Sequence, residues 1–227
     1  MTERDLLNRI AAGRTDLVFD LPVQGALGAG ETGGGTPLSW CAYYGDVSAI
    51  RHLLAKGAST TALGENFGLT AAAFHGHWQL VQFLVEIGGS TRWVDPETGE
   101  TPLHAALSRK GGSSQHQVVR VLLGGNPDLS AVTLDGRETG SFMRDARTRG
   151  ETPLHRAAAF AENETLDVLL AAGARCDAPD ARGDTPLSWA SWACRPDRIL
   201  RRLCYGPHHI HPDRQPIEVN LIGQAMP

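Results

Sequence analysis

The tripeptide Thr-Pro-Leu occurs four times, at Thr36, Thr101, Thr152 and Thr185, and Gly34, Gly99, Gly150 and Gly183 each stand two residues ahead of the Thr. Two degenerate copies extend the series. One starts at Phe67, with Leu69 in the Leu place, and the other at Arg4, with Leu6 there. The starts at 4, 36, 67, 101, 152 and 185 are separated by 32, 31, 34, 51 and 33 residues. A unit of about 33 residues cannot bury both of its faces alone, so it must stack on its neighbours.

Each copy reads as a helix pair. Thr is a good N-cap, and Pro in the first helical position gives up only an N–H that the helix would leave orphaned. With the Thr counted as zero, offset 2 is Leu in all six copies. Offset 5 is Cys41, Ala72, Ala106, Ala157 and Ala190, and offset 6 is Ala42, Ala73, Leu107, Ala158 and Ser191. Offsets 2, 5, 6 and 9 share one helical face. Small residues on that face let a second helix come close. The second helix is predicted from Ile50-x-x-Leu53-Leu54, Val81-x-x-Leu84-Val85, Val118-Val119-x-x-Leu122-Leu123 and Leu166-x-x-Leu169-Leu170. Gly57, Gly88, Gly173 and Gly206 mark where these helices stop.

Thr152-Pro153-Leu154-His155-Arg156-Ala157-Ala158, followed by Leu169-Leu170-Ala171-Ala172-Gly173-Ala174, resembles an ankyrin repeat. The resemblance runs from residue 4 to about 206. It implies an all-α, ankyrin-type helical solenoid with β-turn fingers on one side, folded as one elongated domain. The expected organisation is an N-terminal capping repeat at 4–35, five full repeats at 36–206 and an irregular tail at 207–227. The copy at Phe67 departs by losing Thr-Pro, and the third copy departs by its length. Part of the excess falls in the inter-helix link near 110–115, and the larger part falls at 129–149. A long stretch of that kind is either functional or disordered.

Composition narrows the classes. With 41% hydrophobic and 20% charged residues the chain is not disordered as a whole, and a formal charge of −4 gives no global attraction to nucleic acid or anionic lipid. Neither nucleic acid nor membrane is expected as a partner. Cys41, Cys176, Cys194 and Cys204 make no CxxC pair, and four scattered thiols suit a reducing compartment. The opening Met1-Thr2-Glu3-Arg4-Asp5 has no apolar stretch behind it, so the cytoplasm is the expected location, and a monomer the expected state.

The motifs that could carry chemistry are weak. Gly28-Ala29-Gly30-Glu31-Thr32-Gly33 spells a dinucleotide fingerprint but lacks the strand before it and the helix opening within it, so it reads as a glycine-rich finger. His104 and His155 occupy offset 3, where other copies have Ser39, Thr70 and Ser188. That position calls for a hydrogen-bonding side chain rather than a general base, and the resemblance implies that such residues tie neighbouring repeats together. Cys204, His208, His209, His211 and Asp213 form the best metal candidate, which would make the chain a metal-binding regulator or a metal-assisted enzyme. Arg198, Arg201 and Arg202, beside Arg195, read as the charged cap of a terminal repeat, with a basic docking patch as the alternative. Nothing asks for catalysis or a cofactor.

The residues that the core leaves unexplained are aromatic. Offsets 4, 7 and 8 lie away from the Leu/Ala face. Half of the 14 aromatic residues fall there: Trp40, Tyr43, Tyr44, Phe74, Phe160, Trp189 and Trp192. Offset 4 can be partly buried between first helices, which would absorb Trp40 and Trp189. The resemblance implies that this face and the fingers read a protein partner. The expected partner-binding set is Trp40, Tyr43, Tyr44, Phe74, His75, Arg109, Arg156, Phe160, Trp189 and Trp192. The long third finger is expected to contribute. A scaffold whose own tail folds over this groove is a further alternative.

Overall fold

The computed structural model describes residues 2–22, 35–141 and 146–205. The glycine-rich segment 28–33, the far end of the long insertion and the tail with His208, His209, His211 and Asp213 lie outside them. Helix α1 (Glu3–Ala11) opens the chain, closed by a capping box between Thr2 and Asp5. Five helix pairs follow. They are α2 (Pro37–Tyr44) with α3 (Val47–Ala55), α4 (Leu69–His75) with α5 (Trp78–Glu86), α6 (Pro102–Ala106) with α7 (Ser113–Gly124), α8 (Pro153–Phe160) with α9 (Asn163–Ala171), and α10 (Pro186–Trp192) with α11 (Asp197–Arg202). Among the described residues there is no sheet, and Glu138 and Arg147 form an isolated antiparallel bridge.

The packing follows the periodicity. Leu38, Leu69, Leu103 and Leu154 are at most 2% exposed, and Ala72, Ala73, Ala106, Ala157 and Ala158 are buried beside them. From the second helices Ile50, Leu53, Val81, Leu84, Val118, Val119, Leu122, Leu166 and Leu169 close the other side with no exposed surface. Each such side chain contributes roughly 1.5–3 kcal/mol on leaving water, and they form one continuous core. Leu187 is only partly buried, in the last helix pair described.

The caps explain the tripeptide. The Thr36 hydroxyl accepts the Ser39 N–H at 3.2 Å. In the next two Thr-Pro-Leu copies, Thr101 and Thr152 form boxes with His104 and His155. The Thr101 and Thr152 N–H groups donate to the histidine Nδ1 atoms at 3.2 and 3.1 Å. Each Nε2–H donates across to the following repeat, His104 to the Glu151 carbonyl (3.1 Å) and His155 to the Asp184 carbonyl (3.0 Å). With one ring nitrogen accepting and the other donating, both imidazoles are neutral. Where Thr-Pro is missing, α4 is reached through two short 3₁₀ turns, and Asn66 and Phe67 take left-handed conformations with φ +47° and +55°. The Asn66 amide holds that bend by bracketing Ser90, accepting its N–H at 2.7 Å and donating to its carbonyl at 2.9 Å.

At Gly99 and Gly150 the glycine two places before Thr is explained by finger stacking, whereas Gly183 has open space around it and a φ of +83°. Gly99 has φ +73°, and a Cβ there would lie 2.7 Å from the Leu134 nitrogen in the next finger. At Gly150 a Cβ would meet Ala181 at 3.0 Å. Backbone bonds hand one finger to the next, Leu134 N–H to the Thr98 carbonyl (2.8 Å) and Ala181 N–H to the Arg149 carbonyl (2.9 Å).

Two features of the third repeat differ from the sequence reading. The inter-helix excess is shared between a link at 107–112 and an extra turn at the start of α7, where Gln115 donates to the Phe74 and Ala106 carbonyls, each at 3.1 Å. The described parts of the 129–149 stretch are ordered arms. Gly136 N–H donates to the Thr148 carbonyl at 2.7 Å and Thr148 N–H to the Arg137 carbonyl at 3.0 Å, with an Arg147–Glu138 ion pair of 2.7 Å alongside. The arms are held together by these bonds and tied to the neighbouring finger by the Leu134 N–H on the Thr98 carbonyl.

The buried histidines make stability depend on pH. Burial, helped by the Arg156 charge, pushes His104 down to about 3, and burial also lowers His155. The unfolded chain takes up protons near the ordinary 6.5 while the folded chain does not. Stability is therefore full above that value and falls with decreasing pH by up to about 1.4 kcal/mol per pH unit for each histidine. The denaturant midpoint should drop between about pH 7.5 and about pH 5. In His104→Gln that drop should shrink, and an equal drop in both proteins would show that His104 is not its source.

Candidate functional site

Tyr43 is 53% exposed at the C-terminal end of α2, where offset 7 turns away from the Leu face. Rings spread from it in both directions. Trp40, half-buried against the core, meets Tyr43 edge-on at 6.0 Å, and Tyr44 meets it at 5.1 Å. The Tyr44 hydroxyl donates to the Ala11 carbonyl at 2.9 Å, which ties the ring to α1. Across the seam, His75 of α4 meets Tyr43 at 5.2 Å and Phe74 at 5.3 Å. Beyond α6, the Arg109 guanidinium lies 5.7 Å from the Phe74 centroid. Trp40, Tyr43, Tyr44, Phe74, His75 and Arg109 thus form one unbroken face across three helix pairs. His77 props it from below, donating to the Tyr43 carbonyl at 2.9 Å and stacking on His75 at 5.7 Å. Partial burial, with His77 and Arg109 adding to it, holds His75 below its ordinary value, so this ring is neutral near pH 7.

A second exposed ring stands apart. Trp192 is 54% exposed at the end of α10, with the Arg149 guanidinium 4.7 Å from its centroid. Arg149 is fixed by Asp180 (3.3 Å) and Asp184 (3.0 Å). It was not among the residues expected from sequence, because it sits in the insertion arm, where no helical period points to it. Phe160 is partly buried at the end of α8.

Two expected members are corrected. Trp189 is 8% exposed, and its indole N–H donates to the Asp180 carboxylate at 3.0 Å. Arg156 has no exposed surface. Its guanidinium pairs with Glu151 through Nε (2.8 Å) and Nη2 (2.6 Å), while Nη1 reaches Glu100 at 2.6 Å and the Ser108 hydroxyl at 2.7 Å. Burial pushes the Glu151 carboxyl up, but Arg156, the Arg149 N–H and the Thr133 hydroxyl outweigh it, so the group stays ionised. Offset 4 faces the neighbouring first helix here. A cation there must therefore be paired within the protein.

Glu100 and Glu151 were missed, though a signal was present. Each fills the place between the Gly and the Thr, in Gly99-Glu100-Thr101 and Gly150-Glu151-Thr152, ahead of the two copies that carry His. On the last helix, Arg201 pairs with Asp197 (2.6 Å) and Arg202 with Asp167 (2.8 Å), while Arg195 donates to the Ala161 carbonyl. Cys204 is partly buried, its thiol directed at the Leu200 carbonyl at 3.3 Å. Its supposed co-ligands His208, His209 and His211 lie outside the described residues.

An ankyrin-repeat family model of three copies matches residues 38–133, and a second ankyrin-repeat model of many copies matches 154–201. The chain belongs to the ankyrin-repeat family. This is a family of interaction modules that is generally non-enzymatic. The chain is 27% identical to human ankyrin repeat and SOCS box protein 16, a match that covers 89% of this chain and 52% of that protein. It is 34% identical to human ankyrin repeat and SOCS box protein 18, over 74% of this chain and 33% of that one. Mouse palmitoyltransferase ZDHHC13 is 32% identical over 68% of this chain but only 22% of the enzyme, so the likeness is partial. No helix among the described residues is long and apolar enough to cross a membrane.

The Arg156 contacts give a test of the corrected assignment. Arg156→Ala leaves two buried carboxylates facing each other and should cost about 3–5 kcal/mol, read from the denaturant midpoint. A midpoint shift below about 1 kcal/mol would return Arg156 to the surface set.

Proposed function

We propose that this module binds a protein partner through the face made by Trp40, Tyr43, Tyr44, Phe74, His75 and Arg109, with Trp192 and Arg149 as a second contact point. The supporting observation is the exposure of Tyr43 and Trp192, each more than half open on a molecule whose core leucines are almost wholly covered. Clustered exposed rings are the usual anchors of binding energy, since an aromatic side chain covers much area and loses few rotamers. The first insertion arm flanks this face, because its Gly140 and Ser141 line the same cavity as Phe74 and His75. The four cysteines are free thiols, consistent with a reducing cytoplasm as the place of action.

The partner is first captured from the native cell and identified by mass. Tyr43→Ala and Trp192→Ala should then leave the denaturant midpoint within about 0.5 kcal/mol of the parent. Each should weaken the partner by about tenfold or more. Trp189→Ala should do the reverse, losing about 3–5 kcal/mol of stability because its ring is core. A collapsed midpoint for Tyr43→Ala or Trp192→Ala would place those rings in the packing, and the face would not be the binding surface.

A further inference from the structure

Thr139 and Ser141 of the insertion reach back to Glu100, donating to its Oε2 at 2.6 and 3.4 Å. These bonds hold the hairpin arm beside α4, and between them lies an open cavity of about 370 Å³, lined by Thr70, Ala71, Phe74, His75, Glu100, Gly140 and Ser141. Its residues bring a phenyl ring and a methyl, together with the Glu100 carboxylate, the Thr70 and Ser141 hydroxyls and the His75 imidazole. The Thr70 hydroxyl is buried and has no hydrogen-bond partner among the described residues. A buried polar atom left in that state favours a ligand that supplies the missing bond.

The charge count beneath the cavity gives the sign of that ligand. Glu100 and Glu151 share a single guanidinium, that of Arg156. The group therefore holds one negative charge in surplus, and Glu100 is its member on the cavity wall. Arg109, 5.7 Å from Phe74, opposes a second cation. However, Arg109 is exposed and water screens its field, whereas Glu100 is 5% exposed and acts through a lower dielectric. The buried surplus dominates. We propose that this cavity receives one cationic side chain, an arginine or lysine, of the partner that binds the aromatic face. Its donors would reach the Glu100 and Thr70 oxygens while its stem lies along Phe74. The proposal rests on the aromatic face being the recognition surface and adds the chemistry of what enters it.

The test titrates the isotope-labelled full chain with N-acetyl-arginine methylamide, N-acetyl-norleucine methylamide and N-acetyl-aspartate methylamide, following the amide resonances of Ala71, Phe74 and Gly140. The arginine compound should move these resonances saturably and the other two should not. Glu100→Gln should weaken the arginine compound about tenfold, and Thr70→Val should weaken it less. Equal or larger shifts from the aspartate or norleucine compound would overturn the proposal, as would no saturable shift from the arginine compound. If Glu100→Gln loses its fold, Thr70→Val and Ser141→Ala decide the matter, and unchanged arginine affinity in both sinks it. Tyr43→Ala lies outside the cavity and should leave the arginine shifts intact. A failure of the aromatic face would appear as retained partner binding in that variant, and is thus separable from a failure of the cavity.

Discussion

The Glu100–Arg156–Glu151 ion group is the constraint on which the middle of the molecule depends. Taking three charges out of water costs several kcal/mol for each, and their mutual attraction offsets this only when the remaining donors and acceptors are also satisfied. Here Ser108, Thr133, Thr139 and the Arg149 N–H complete the set. Those partners come from the link after α6 and from both arms of the insertion. The group therefore fixes the insertion relative to the helices, and with it the wall that flanks the aromatic face. An apolar replacement of similar volume could match its stability but would not orient the hairpin.

What the sequence made legible was the part controlled by local periodicity. Leu38, Leu69, Leu103 and Leu154 were readable as core because the helical period places them on one side, and the structure buries them there. His104 and His155 were readable as structural because their position also accepts Ser and Thr. Offset 4 was not readable in the same way. Whether Arg156 or Trp189 faces solvent is decided by the adjacent first helix, and the period of a single helix carries no record of its neighbour. The insertion arms were illegible for a related reason. Their pairing is between Gly136, Arg137 and Thr148, which no alternating pattern announces, and it is completed by contacts to Thr98 and Glu100 far away in the chain.

The exposed rings and the buried network occupy different stretches of the first helices. At offset 7, Tyr43 on α2 stays open although it meets His75 of the next first helix, and Phe74 on α4 is partly covered. In the fourth copy the equivalent space is taken by Ala159, buried, and the neighbouring offset is filled by a cation turned inward. The aromatic face is consequently concentrated in the N-terminal half, and Trp192 is separated from it by a stretch committed to holding repeats together.

The left-handed turn at Asn66 and Phe67 has a consequence for motion. It is the one link of the full repeats without Thr-Pro, and it is held instead by the Asn66 side-chain amide on Ser90. The contact between Tyr43 and His75 spans that same seam. A partner lying on both rings would act as a splint across it, converting affinity into protection of the α4 amides from hydrogen exchange. The one joint that lacks Thr-Pro thus becomes a place where an arriving partner would tie two helix pairs together.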